Sequence, residues 1–287
     1  MLLKFFELVA HDEWKDSEIN PVAVLTQFLD SVLTDYIKLT KHLPFMLSAH
    51  LFADNHRAIG IGALGWHSFL QSKGIAFESM EAKLLTTEIF KFIDEKSFEA
   101  PVNMAARYGE PGLLKGWNIR HTTRTAIAPT ASSSFILGQV SASIEPLTSN
   151  YFIQDLDRIK TTYKNPYLKE LLAELGQDTK AVWDSILNAG GSVQHLSFLN
   201  KDQKAVFKTF AEISQYDIVV QASIRQKFID QGQSLNLMIS YDASPKEVSD
   251  LLIEGWRLGV KGFYYQKGVN PSQRLSQNIS NCKVCEG

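Results

Sequence analysis

A strand, a capped helix and a second strand follow one another near the end of the sequence, and this order restricts the fold more than any other feature. Residues 234–240 and 260–266 are rich in β-forming side chains, and each stretch is short enough for a single strand. Between them, Ser244 and Glu247 form a capping box, with Pro245 in the first helical turn. Strands joined through a helix run parallel, so the sequence predicts an α/β fold.

Three further helices are expected in the first hundred residues. Apolar side chains recur at helical spacing over residues 24–37, after a capping Asn20 and a first-turn Pro21. A second helix is predicted from about residue 57 to 72, and a third from 81 to 96.

The composition excludes two classes of partner. The chain has 287 residues, 45% of them apolar, which is enough to bury a substantial core. Its formal net charge of -2 gives no basic excess of the kind that binds nucleic acid or anionic membranes. No stretch approaches the ~18 uncharged apolar residues of a membrane span, and the N-terminus does not match a secretory signal. A cytoplasmic globular protein is therefore expected.

The two cysteines, Cys282 and Cys285, lie within six residues of the C-terminus. They exclude a structural disulfide framework, and a Cys-x-x-Cys pair is typical either of a redox dithiol or of half a zinc site. No second pair of Cys or His ligands stands at zinc spacing, which favours the redox alternative and predicts no metal site in this chain. Residues 268–287 are polar and aperiodic, so a flexible tail is expected to carry the dithiol.

Residues 60–65 match the Gly-x-Gly-x-x-Gly pattern of dinucleotide-binding loops. That function requires a buried strand immediately before the glycines, whereas residues 52–57 are polar and typical of a turn. We therefore interpret the glycines as allowing a helix to pack closely against its neighbour.

A cluster of hydroxyl side chains follows a predicted buried strand at residues 123–128. Its residues are Pro129, Thr130, Ala131, Ser132, Ser133 and Ser134. Small side chains expose backbone N–H groups, hydroxyls add donors, and a following helix N-terminus favours negative charge. The segment is therefore either a phosphate-binding loop or an ordinary Ser/Thr-rich helix cap.

Several separated stretches, taken together, resemble the large subunit of ribonucleotide reductases. They run in that family's order from Ala53 to Gly287: Asn55–Gly62, Arg124–Asn150 with its Ser-Ile-Glu-Pro element, Phe228–Asn236, Gly259–Tyr265 and the terminal Cys-x-x-Cys. Motifs that agree in order are much stronger evidence than one motif alone.

The resemblance implies the second half of the ten-stranded α/β barrel of these enzymes over residues 1–267, followed by the tail. It also implies a class I enzyme that reduces ribonucleoside diphosphates to 2'-deoxyribonucleoside diphosphates by thiyl-radical chemistry. The family's thiyl cysteine and active-site dithiol lie before the matched region, and this chain has no cysteine before Cys282. Because the sequence opens with Met1, a naturally split gene with a separate N-terminal chain is expected rather than a truncation, with an engineered fragment as the open alternative.

The resemblance assigns roles to particular residues. Residues 129–134 and Glu145 would bind the substrate, the loop through its diphosphate, although Ala131 departs from family members with glutamate there. Tyr264 and Tyr265 would relay the radical from a metal-containing small subunit, with Tyr264 nearer the thiyl cysteine. The tail dithiol would re-reduce the active site and then be reduced by thioredoxin or glutaredoxin. The chain itself is expected to bind no cofactor.

A different function remains open at this stage. The chain would then be a non-catalytic module that binds nucleotide phosphates and acts as a regulator or decoy. The tyrosine pair and the tail dithiol favour the enzyme, because a binding module has no use for either.

Overall fold

The computed structural model describes residues 20–156 and 159–269. Its strands form two pairs, β1 (Tyr151–Leu156) with β2 (Ile159–Lys164), and β3 (Leu237–Ser240) with β4 (Gln266–Val269). The α-helices are α1 (Pro21–Thr40), α2 (Leu47–His56), α3 (Trp66–Ser72), α4 (Met80–Tyr108), α5 (Ala131–Ile136), α6 (Pro166–Glu174), α7 (Lys180–Asn188), α8 (Lys201–Val206), α9 (Gln215–Gln226) and α10 (Pro245–Arg257). Short 3-10 turns cover Pro44–Met46 and Gly112–Leu114.

The helix predicted after Asn20 is confirmed as α1. The Asn20 side chain accepts hydrogen bonds from the backbone N–H groups of Val22 and Ala23, and Pro21 occupies the first turn. These contacts satisfy donors that a helix start leaves without intrahelical partners. The third predicted helix is also present, as the longer α4.

The helix predicted over residues 57–72 is wrong for its first half. Helix α2 ends at His56, Arg57 takes a left-handed conformation with φ of 44°, and α3 begins only at Trp66. Between them the chain is extended and lies beside residues 123–126. A Cβ atom on Gly62 would lie 2.4 Å from the carbonyl oxygen of Ala126. The glycines do permit a close approach, but it is between two extended segments, not between helices.

Arg57, at that turn, anchors α1 through a buried carboxylate. Asp30 of α1 accepts hydrogen bonds from Arg57 Nε at 2.8 Å and from Arg120 Nε at 3.0 Å. His121 Nδ1 lies 2.7 Å from the Arg57 carbonyl oxygen, and burial lowers the pKa of His121. Charged side chains buried this deeply need such partners, so the cluster fixes α1 against the extended segments.

Four extended segments run parallel, in the order 59–61, 123–127, 231–240 and 264–269. The hydrogen bonds from Ile61 N to Arg124 O and from Ile127 N to Gly232 O join the first three, and β3 pairs with β4 in the last two. Residues 123–128, predicted as a buried strand, form the second segment. Within residues 20–156 and 159–269 the array does not close into a barrel.

The predicted strand, helix, strand unit is confirmed as β3, α10 and β4. The capping box is present, with Ser244 Oγ accepting from Glu247 N and the Glu247 carboxylate accepting from Ser244 N. The second strand begins only at Gln266, at the end of its predicted range. It includes Gly268 and Val269, which the sequence had assigned to the tail.

Two apolar clusters hold these elements together. The larger packs α3, α4 and α9 around the parallel segments, with Trp66, Phe69, Phe90 and Phe210 fully buried. The smaller joins α6, α7 and the loop before α8, around Trp183 and Leu168, and the antiparallel β1–β2 hairpin contacts it through Tyr151. Among the described helices, none is long and apolar enough to span a membrane.

Candidate active site

A cleft of about 310 Å³ lies where three parts of the chain meet. They are the cluster of hydroxyl side chains at residues 129–134, called the hydroxyl loop below, the segment after it and the β3–β4 pair. The cleft contains four residues that the sequence assigned to substrate binding, namely Pro129, Ala131, Ser134 and Glu145. The other lining residues are Gln139, Val140, Ala142, Pro146, Leu147, Thr148, Phe152, Tyr163, Asn236 and Lys267.

The hydroxyl loop turns sharply at Thr130, which has a left-handed φ of 47°. That conformation is uncommon for a β-branched residue, and such strain clusters at functional sites. A hydrogen bond of 2.8 Å from Ser143 N to Thr130 Oγ1 holds the turn in place. Helix α5 then starts at Ala131, and its first intrahelical hydrogen bond runs from Ser134 N to Thr130 O. The N–H groups of residues 131–133 thus precede that bond and can face an anion.

The three serines of the loop differ in exposure. Ser132 and Ser133 are exposed, whereas Ser134 is buried and its hydroxyl donates to the Ala131 carbonyl oxygen at 3.0 Å. The hydroxyl of Ser134 therefore stabilises the helix turn. Those of Ser132 and Ser133 are accessible to a ligand, although neither residue lines the cleft.

Glu145 lies on the wall of the cleft and is almost fully buried. Its carboxylate accepts a hydrogen bond from the side-chain amide of Asn236 and pairs with Lys267 Nζ at 3.3 Å. Sequence reasoning assigned no role to Asn236 or Lys267. Asn236 ends the Phe228–Asn236 stretch, and Lys267 follows the tyrosine pair by two residues. Their positions next to these two motifs were the only features of the sequence that could have indicated a role for Asn236 and Lys267.

Tyr264 and Tyr265 lie against each other beside the cleft, with their rings tilted. Their ring centroids are 4.0 Å apart with an interplanar angle of 52°, and both side chains are about half exposed. A hydrogen bond between the two hydroxyls raises the pKa of Tyr264. Neither ring lines the cleft itself, but the backbone N–H of Tyr265 donates to Asn236 Oδ1 at 2.9 Å.

A β-bulge explains why these adjacent side chains share one face. Tyr264 N donates to Leu235 O, and a regular parallel ladder would then bring Leu237 N to the carbonyl of Tyr264. Leu237 N instead donates to the carbonyl of Tyr265, so this segment carries one extra residue. In a regular strand, neighbouring side chains point to opposite faces, whereas a bulge re-aims them.

The β1–β2 hairpin contributes an aromatic wall that the sequence did not predict. Phe152 and Tyr163, opposite each other in the antiparallel register, stack with ring centroids 4.8 Å apart and an interplanar angle of 25°. Burial raises the pKa of Tyr163, so its phenol is protonated at neutral pH. The cleft therefore has a polar side near Glu145 and an apolar side near Phe152.

The remaining predicted site residues, Cys282 and Cys285, lie outside the described residues. Across the part of the chain that the structure does describe, no group of three His, Cys, Asp or Glu side chains is placed to hold a metal ion.

Comparisons with known proteins connect this geometry with one family. Residues 4–118 and 114–266 match the family model described as "Ribonucleotide reductase, barrel domain". The chain is 37% identical to the ribonucleoside-diphosphate reductase large subunit of Invertebrate iridescent virus 6, covering 96% of this chain and 29% of that protein. It is 40% identical to the large subunit of Invertebrate iridescent virus 3, covering 88% and 40%.

A solved structure is similar as well. The class Id ribonucleotide reductase alpha subunit of Actinobacillus ureae superposes with a TM-score of 0.85 at 47% identity, covering 93% of this chain and 49% of that one. The chain thus spans less than half the length of each of these three relatives.

Proposed function

The chain belongs to the family of ribonucleotide reductase large subunits, and on that premise we propose that it forms the C-terminal half of the catalytic subunit of a ribonucleoside-diphosphate reductase. The reaction would be the reduction of ribonucleoside diphosphates to 2'-deoxyribonucleoside diphosphates by thiyl-radical chemistry. Relatives named as large subunits of this oxidoreductase support the proposal.

The observation that carries the proposal is the contact between the two tyrosine rings, together with the Asn236 side chain that joins the pair to the cleft. A phenol can lose a proton and an electron together, so it passes on a radical without leaving a buried charge, which would be costly. Two rings with centroids 4.0 Å apart form a short path for such a transfer. Asn236 contacts both the Tyr265 backbone and the cleft wall, so this path ends beside the proposed substrate.

The cleft has the features expected of a diphosphate site. The N–H groups that open α5 supply donors, and Lys267, paired with Glu145, supplies a positive charge. Ser132 and Ser133 do not line the cleft, but they are exposed on the same helix turn and add hydroxyl donors beside it. The apolar side near Phe152 gives the rest of a nucleotide a surface that excludes water.

The radical step itself needs a thiyl cysteine, and the resemblance gives that role to neither of this sequence's two cysteines, Cys282 and Cys285. In our proposal a separate N-terminal chain supplies the thiyl cysteine and the active-site dithiol, and a metal-containing small subunit supplies the radical. The tail dithiol receives electrons from thioredoxin or glutaredoxin and passes them to the active site.

Reconstitution tests the proposal. The chain is mixed with the small subunit, with and without a chain that carries the first half of the large subunit, and deoxynucleotide formation is measured. Turnover is expected only when all three are present. Deoxynucleotide formation without the N-terminal chain contradicts the split arrangement. Binding of ribonucleoside diphosphate with no turnover in the complete mixture would favour the non-catalytic binding module.

A further inference from the structure

We propose that Asn236 is a positioning residue that fixes the tyrosine pair to the wall of the cleft. The inference rests on the proposed function, because it concerns the residues through which the radical would pass. It adds a residue of the cleft wall that acts through the backbone of the tyrosine pair and determines where the two phenols stand.

The backbone of the bulge needs Asn236. Because the ladder slips by one residue at Tyr264 and Tyr265, the N–H of Tyr265 has no carbonyl acceptor on the neighbouring segment. Asn236 Oδ1 accepts that N–H at 2.9 Å and so satisfies a donor that would otherwise be lost from the ladder. Without this contact the bulge gains freedom to relax toward a regular strand, in which the two rings would point to opposite faces.

The NH2 group of the same amide binds the wall of the cleft. Asn236 Nδ2 donates to Glu145 Oε1, and the second carboxylate oxygen of Glu145 pairs with Lys267 at 3.3 Å. Asn236 is only 4% exposed and Glu145 only 8%, so water has little access to replace these contacts. One planar group thus connects the cleft wall to the peptide of Tyr265.

The orientation of the amide is uniquely determined. Rotated by half a turn, Asn236 would place its NH2 group against the Tyr265 N–H and its carbonyl oxygen against the Glu145 carboxylate, and both contacts would be repulsive. Asparagine alone among short side chains offers an acceptor at one end and a donor at the other. The sequence position therefore demands this residue type, and a simple space-filling role would not.

The test compares four variants in the reconstituted enzyme at saturating ribonucleoside diphosphate. N236A removes both contacts, and we expect kcat to fall about tenfold or more, in line with the sensitivity of catalysis to small misplacements. N236D can still accept the Tyr265 N–H but sets two carboxylates against each other, so kcat should fall as well. The double variant N236D/E145Q restores the hydrogen bond with its polarity reversed, and its kcat should return to within about threefold of E145Q alone.

Asn165→Ala provides the matched control. Asn165 is also a buried bridging amide, which donates to Gln71 and Asn150 and caps α6, but it contacts neither the cleft nor the tyrosines. This variant should lose thermal stability and keep kcat within about twofold of the wild type, because lost stability alone leaves the folded enzyme active.

A second measurement does not depend on activity. Hydrogen–deuterium exchange at the Tyr265 amide should be faster in N236A and unchanged in N165A, because only the first variant removes its acceptor. Wild-type kcat in N236A, no recovery in N236D/E145Q, or unchanged exchange at Tyr265 would each overturn the assignment. If N236A does not fold, the kcat values of N236D and of N236D/E145Q test the assignment instead. Full turnover by the Tyr264→Phe enzyme would instead refute the radical relay, and with it the proposed function.

Discussion

His67 Nδ1 accepts a hydrogen bond of 2.9 Å from the backbone N–H of Leu147, and this contact anchors the wall of the cleft. Leu147 lines the cleft, and its carbonyl oxygen in turn accepts from Phe210 N. The His67 side chain is fully buried, and its burial lowers the pKa of His67 to about 3. The imidazole is therefore neutral at pH 7, with Nδ1 available as an acceptor.

This histidine predicts a pH-dependent stability. Its pKa is about 3 in the folded chain and 6.5 in the unfolded chain, so between these values the unfolded state binds more protons. The free energy of unfolding should therefore fall as the pH is lowered from 6.5 toward 3, by up to ~1.4 kcal/mol per pH unit. His121 also has a lowered pKa and contributes in the same direction.

The variant His67→Asn isolates the contribution of His67. Its amide oxygen can accept the Leu147 N–H but does not titrate, so the variant should lose stability less steeply than the wild type between pH 7 and pH 5. Urea denaturation at the two pH values measures the difference. Equal losses in the two proteins would show that His67 titrates normally in the folded chain.

A second prediction concerns the close approach of the first two parallel segments. Gly62→Ala would place a Cβ atom 2.4 Å from the Ala126 carbonyl oxygen. Because that oxygen belongs to the backbone, it cannot move away without a large cost in free energy. The variant should be destabilised by ~1–3 kcal/mol or more, as is typical of overpacking. Gly232→Ala is the control, because nothing lies within 4 Å of its Cβ position. Thermal melts of both variants provide the comparison, and equal melting temperatures would argue against the clash.

The helix starts were predicted well from the sequence because residues next to each start determine them. The cap at Asn20 and the capping box at Ser244 act within four residues of each helix start, and both were correct. The extended run at Gly60 and Gly62 was misread as a helix because its cause lies more than sixty residues away, at the carbonyl of Ala126. No local pattern carries that information.

The candidate site shows the same division. The hydroxyl cluster was visible as composition, but the sequence could not distinguish the inward Ser134 from the exposed Ser132 and Ser133. Asn236 and Lys267 were missed because their importance arises from Glu145, about a hundred residues before them. The bulge that brings the two tyrosine rings together depends on a register slip that only the paired backbone reveals.

The exposed serines give a third prediction. Changing Ser132 and Ser133 to Ala should raise KM for ribonucleoside diphosphate in the reconstituted enzyme, with each lost hydrogen bond to a charged phosphate worth about 1.5–3 kcal/mol. Ser197→Ala, at an exposed loop position away from the cleft, should leave KM unchanged. Steady-state kinetics measures both, and an unchanged KM in the double variant would make the loop an ordinary helix cap.

The tyrosine pair gives a fourth prediction. Tyr264→Phe and Tyr265→Phe each remove only the O–H that the relay needs, so turnover should be abolished while folding and substrate binding remain nearly intact. Tyr216→Phe, at a comparably exposed tyrosine on α9, should retain full activity. Residual activity within about tenfold of the wild type, or ~1.4 kcal/mol in the barrier, would mean that the pair has only a packing role.

The tail dithiol gives the last prediction, which separates electron supply from radical chemistry. In the proposed reaction, each ribonucleotide reduced would consume the active-site dithiol, so loss of Cys282 and Cys285 should spare the first turnover and prevent later ones. A reconstituted enzyme with Cys282→Ser and Cys285→Ser should give a stoichiometric burst and then stall with thioredoxin or glutaredoxin as reductant. A small dithiol that diffuses into the site should restore continuous turnover, because it bypasses the shuttle.

The amount of product per active site, measured with each reductant, distinguishes this role from the alternatives. A zinc half-site would instead show bound metal in the wild-type protein and impaired assembly in the double variant, since structural zinc contributes folding energy. A tail without function would show normal multiple turnover with the protein reductant. Sustained thioredoxin-driven turnover by the double variant would therefore refute the shuttle and leave the radical relay untouched, because the two processes depend on different residues.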